Sequence, residues 1–126
     1  MTGVQTCALP ISGLLLRPFK EKIAFKVARL RETPYCTGSH RGYALKQGVP
    51  VAELDAIDRG DYTGLPAKER ASLLFTEAMV AGRMTDASFA ALREHFNEAE
   101  AVEIVALIGI MELACSFAQV FDLAAD

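Results

Sequence analysis

The sequence predicts an all-α protein of about six helices, and three observations carry that expectation. Apolar residues recur at three- and four-residue spacing along most of the chain. Proline and glycine punctuate these runs where helices would start and stop. No segment shows the two-residue alternation of a strand. With 126 residues, 52% of them hydrophobic and 23% charged, the chain has enough apolar material for one compact domain.

From Lys20 to Arg31, the residues Ile23, Ala24, Val27, Ala28 and Leu30 share helical spacing, with Lys22, Lys26 and Arg29 between them, which predicts an amphipathic first helix. Thr33 before Pro34 reads as an N-cap with proline at the first helical position, and Gly48 and Pro50 mark the far end of a second helix over Pro34 to Gln47. A short third helix is expected over Val51 to Ile57, followed by the turn-rich loop Arg59 to Pro66. The fourth, Ala67 to Ala81, would turn Ala71, Leu74, Phe75, Ala78 and Met79 to the core and end at Gly82. Thr85 caps a fifth helix through Phe96, and Asn97 with Glu100 forms a capping box for a sixth that runs to about Asp122.

The sixth helix holds VEIVALIGIMELACSFAQVF, Val102 to Phe121, apolar on nearly every face. A membrane span needs about 20 largely uncharged residues, and Glu103, Glu112 and Gln119 argue against one. The stretch therefore reads as a central helix buried on all sides. So small a chain encloses such a helix with difficulty, which points to a homo-oligomer.

Residues 1–12, MTGVQTCALPIS, carry neither periodicity nor a helix start signal. They match, in frame, the translation of a common sequencing adaptor, so they are read as an artefact outside the domain, which is taken as residues 13–126. On this reading Cys7 is not native, the natural N-terminus has been lost, and the apolar run near Leu9 to Leu16 is not a signal peptide. The formal net charge is −3, and scattered basic residues give no footprint for nucleic acid or an anionic membrane. A small molecule or a protein is the expected partner. Three unevenly spaced cysteines do not make a disulfide framework, which suits a reducing cytoplasm.

TPYCTGSH, Thr33 to His40, holds the candidate chemistry. Cys36 and His40 stand four apart on one helix face, and Cys36 lies in the first turn, where backbone N–H groups and the helix dipole favour thiolate. That pattern suits a nucleophile with its proton-transfer partner. It suits equally a packed thiol near a histidine, and spacing alone leaves both readings open. Gly38 in the helix interior suggests the close approach of another helix. Tyr35 and Tyr43 read as packing residues, and His95 as a partner of a helix C-terminus. Cys115 reads as a buried small hydrophobe. Cys36 and His40 are two ligands where zinc needs three or four, and no nucleotide or phosphate-binding fingerprint is present, so no metal and no cofactor are expected.

Taken together, Glu21, KIAFKVARL, TPYC, His40, ALKQGV, AKERASLLFTEAM and REHFNEAEAVEIVALIGIMEL resemble the alkylhydroperoxidase D-like, carboxymuconolactone decarboxylase superfamily over nearly all of the chain after residue 12. The resemblance implies an all-helical fold assembled as trimers or hexamers. It also implies catalytic roles for Cys36, His40 and Glu21, because the redox branch has a glutamate fifteen residues before the second cysteine of C-x-x-C-x-x-x-H. There the second cysteine attacks peroxide, the glutamate and histidine relay protons, and the first cysteine resolves the sulfenic acid. Thr33 stands in the place of that first cysteine. The expectation is thus a cytoplasmic peroxidase with a single reactive cysteine that needs another thiol for its resolution. The alternatives are a lactone or acid enzyme of the decarboxylase branch and a non-catalytic oligomeric binding protein.

Overall fold

Six helices follow one another in the computed structural model, which describes residues 13–124: α1 Arg17–Leu30, α2 Pro34–Lys46, α3 Val51–Asp58, α4 Ala67–Val80, α5 Asp86–Arg93 and α6 Glu98–Val120. The segment read as adaptor-derived, with Cys7, lies outside the described residues. The start of α1 falls at Arg17, three residues before the predicted Lys20, because Pro18 occupies its first turn, where no N–H is required. At its end, α5 stops at Arg93 rather than Phe96, and the Arg93 side chain bonds to the Phe96 carbonyl across the turn. Two of the three predicted N-caps, Thr85 and Asn97, form. The Thr85 hydroxyl accepts from the Ser88 N–H, and Asn97 and Glu100 make the reciprocal capping box of α6.

The central helix is α1, not α6. Nine consecutive residues, Lys20 to Ala28, are buried, and α2, α3, α4 and α6 all pack against this helix. Four of the nine are charged, and successive residues on a helix point about 100° apart, so the consecutive Lys20, Glu21 and Lys22 reach different neighbours. Lys20 pairs with Glu103 of α6 at 2.9 Å, Glu21 meets His40 of α2, and Lys22 bridges Glu53 of α3 and Glu69 of α4 at 2.8 and 2.7 Å. One turn on, Lys26 donates to the Ile57 carbonyl and stands over the Tyr62 ring. Burial by itself would lower the Lys22 pKa, but its bonds to the two carboxylates outweigh this and hold it above the ordinary lysine value. The lysines read as the polar face of an amphipathic helix are therefore buried connectors.

By contrast α6 is buried on one side only. Ala101, Ile104, Leu107, Ile108, Met111, Ala114, Cys115 and Ala118 enter the core, while Val102, Ile110, Leu113 and Phe117 face outward. Long and apolar enough by composition to cross a membrane, this helix is fixed along the core by that buried stripe. On α4 the inward face is Ser72, Leu73, Phe75 and Thr76, with Leu74 exposed, so the predicted face is rotated. Ser72 and Thr76 pack like apolar residues because their hydroxyls bond to carbonyls of their own helix, those of Glu69 and Ser72. Among the described residues there is open space beside Gly38, so no described helix makes the close approach expected there.

Glu103 accepts three hydrogen bonds, from Lys20 Nζ and from the backbone N–H groups of Leu14 and Leu15. Desolvation pushes its carboxyl up, but these three donors outweigh it and hold the pKa below the ordinary carboxylate value. A carboxyl depressed on folding contributes stability that is complete above its unfolded pKa and lost as pH falls through its folded one. Glu103→Gln is expected to lower the melting temperature at neutral pH and to narrow its gap from the parent protein as the solution is acidified, as read by thermal denaturation across the acid limb.

Candidate active site

The turn from α1 to α2 sets the site. Glu32 holds the left-handed conformation (φ 50°) that glycine usually supplies after a helix. Its N–H bonds to the Arg29 carbonyl and that of Thr33 to the Ala28 carbonyl, at 3.1 and 3.0 Å. This pair of bonds closes α1 and folds α2 back along it, so residues nineteen apart in sequence meet. His40 Nδ1 lies 2.7 Å from Glu21 Oε1, and both side chains are fully buried. Cys36 stands one turn before His40 on α2, also at 0% exposure.

Arg17 completes the arrangement. Its Nε donates to Glu21 Oε2 at 2.7 Å, one turn back along α1, so the carboxylate is gripped at one oxygen and presents the other to the imidazole. The Tyr43 ring packs edge-on to His40 with centroids 5.5 Å apart, and the Arg17 guanidinium lies over the same tyrosine at 5.8 Å. Nδ1 is thus committed to a carboxylate, which fixes the orientation of the ring. Of the three residues singled out from sequence, Glu21 and His40 are in contact and Cys36 lies buried one turn away on α2, with Tyr43 packing as expected. Glu21 is no solvated charge between Lys20 and Lys22. Sequence reasoning missed Arg17, although its four-residue spacing from Glu21 is the signal that could have found it.

Thr33 occupies the N-cap position but does not cap. Its hydroxyl donates to the Arg31 carbonyl at 3.1 Å and accepts from Gln119 Nε2 at 3.2 Å. Gln119 also donates to the Arg31 carbonyl, and the Arg31 guanidinium reaches Ser116 Oγ. The entrance to α2 is therefore anchored on the last turn of α6. Cys115, one turn before Gln119, lies fully buried in the same apolar cluster as Cys36, and neither is in a disulfide. His95 lies apart from these residues, on an apolar cleft of about 260 Å³ between α4 and α5 that shares no lining residue with them. Among the described residues no group of three or more His, Cys, Asp or Glu is placed to hold a metal ion.

No family model matches the sequence, and no curated protein matches it. A crystal structure of an Agrobacterium tumefaciens protein of unknown function, provisionally assigned to antioxidant defence as AhpD, superposes with a TM-score of 0.81 at 21% identity, over 99% of this chain and 84% of that one. Helix order, the absence of strands among the described residues and that superposition together give the conclusion that the chain has the alkylhydroperoxidase D-like all-helical fold.

Proposed function

We propose that this protein is a cytoplasmic, homo-oligomeric peroxide-reducing enzyme, with Cys36 as nucleophile and His40 and Glu21 as its proton-transfer pair. The observation that supports it best is the buried 2.7 Å contact between His40 and Glu21, one helical turn from a thiol at a helix N-terminus. His40 takes the Cys36 proton, the thiolate attacks the terminal peroxide oxygen, and the O–O bond breaks. The alkoxide leaves with the proton that the imidazolium returns, and Cys36 is left as a sulfenic acid. Return to the thiol needs a further thiol as reductant. Cys36 is fully buried, so a small hydroperoxide is the substrate class that suits the site, and its entry requires the side chains around α2 to open.

The test is the rate of Cys36 oxidation by an organic hydroperoxide across pH, followed by intact mass in the parent protein, Cys36→Ser and His40→Ala. The expected result is oxidation faster than that of a free cysteine, confined to Cys36 and slowed about 10²-fold or more in His40→Ala. A thiol no faster than free cysteine rejects the reading. Thr33 at the first-cysteine position favours the decarboxylase branch as a second reading, in which the Glu21–His40 pair transfers protons without sulfur. Turnover of a lactone or β-keto acid that survives Cys36→Ser would establish that reading instead.

A further inference from the structure

We infer that Cys115 takes over the resolving role that Thr33 cannot perform, so that peroxide reduction ends in a disulfide between Cys36 of α2 and Cys115 of α6. This inference rests on the peroxidase reading of the site. Its basis is the anchoring of the α2 entrance on α6. Gln119 Nε2 reaches the Thr33 hydroxyl at 3.2 Å, and Arg31 reaches Ser116 Oγ at 3.2 Å. On α6, Cys115 lies one turn inward from Gln119 on the same face, and on α2, Cys36 lies one turn inward from Thr33. The next turn of each helix thus presents a sulfur to the same buried cluster, where Cys36 and Cys115 both have 0% exposure. A packed small hydrophobe would explain the burial of Cys115. It would not explain why, of all positions on a 23-residue helix, the thiol stands one turn from Gln119, which bonds to the threonine in place of the resolving cysteine.

The chemistry closes without a further oxidant. Cys115 attacks the sulfur of the Cys36 sulfenic acid, the S–S bond forms as the S–O bond breaks, and hydroxide leaves with the Cys115 proton as water. The Cys36 sulfur is reduced and the Cys115 sulfur oxidised. An external dithiol then opens the disulfide and restores both thiols. An attacking thiol already held in the same cluster acts at an effective concentration far above that of thiols free in solution.

The experiment uses the full chain carrying Cys7→Ser, treated with a stoichiometric organic hydroperoxide, with and without dimedone, then mapped under non-reducing conditions. The expected result is loss of two hydrogens in intact mass, a peptide cross-link joining Cys36 to Cys115, and full reversal by dithiothreitol. In Cys115→Ser and Cys115→Ala the cross-link is absent, and the Cys36 sulfenic acid, trapped by dimedone, persists at least about tenfold longer. A Cys36 sulfenic acid that forms rapidly, yields no cross-link and persists equally with and without Cys115 overturns this inference and leaves the peroxidase reading standing. Absence of any Cys36 oxidation overturns both. The cross-link is read in a chain that retains both thiols, so a folding defect in the Cys115 variants does not obscure it.

Discussion

Replacement of Glu21 is expected to have the largest effect of any single substitution, and on two separate measurements. Its carboxylate is fully buried between Arg17 and His40, at 2.7 Å from each. Removing one member of a buried pair leaves its partner desolvated and unpaired, at a cost of about 3–5 kcal/mol. Glu21→Ala should therefore lower folding stability by that amount in chemical denaturation. Glu21→Gln separates packing from charge. The amide fills the same volume and still offers an oxygen to Arg17 or to the imidazole, but it carries no charge. Peroxide oxidation of Cys36 in this variant should fall by about 10²–10⁴-fold, the usual contribution of a positioned acid-base group, while the melting temperature changes less than in the alanine variant. A Glu21→Gln protein that keeps the parent rate would reduce the pair to a structural ion pair.

The helices were legible because their ends are written locally. Thr85 with Ser88 and Asn97 with Glu100 satisfy N–H groups three residues away, within reach of a short sequence window. The identity of the central helix was not legible. Hydropathy places Lys20, Lys22 and Lys26 in water, yet each is buried against a carboxylate or carbonyl from a segment tens of residues distant. The reverse error occurred on α6, whose apolar residues exceed what one small core can cover. For the site, the four-residue spacing of Cys36 and His40 pointed to a shared face, but nothing local linked either to Glu21. That link came from the resemblance, and its physical cause is the tight turn at Glu32, a residue in a conformation that its type does not advertise. The bonds of Thr33 and Gln119 were invisible for the same reason: their partners meet only once α6 is packed.

The outward face of α6 gives the second large expectation. Val102, Ala106, Ile110, Leu113, Phe117 and Val120 recur at spacings of three and four residues, and they form a stripe on the side opposite the core. Every member is exposed, with Val102 at 62%, Leu113 at 59% and Val120 at 74%, and the Phe117 and Phe121 rings pack on each other at 5.6 Å. At 1.5 Å rise per residue the stripe is about 27 Å long. A continuous apolar strip of that length is costly in water, and the same strip on a second copy of the chain would cover it. This is the proposed assembly face, and it replaces the expectation that oligomerisation serves to enclose a helix buried on all sides. Leu113→Glu with Phe117→Glu places charges in the centre of that face, where an unpaired buried carboxylate costs several kcal/mol. The double variant should shift the mass in size-exclusion chromatography with light scattering from an oligomer to a single chain, with the dissociation constant raised by about 10²-fold or more. Both side chains point away from the core, so helical content should be retained, and a parent protein that already runs as a single chain would reject the assembly face outright.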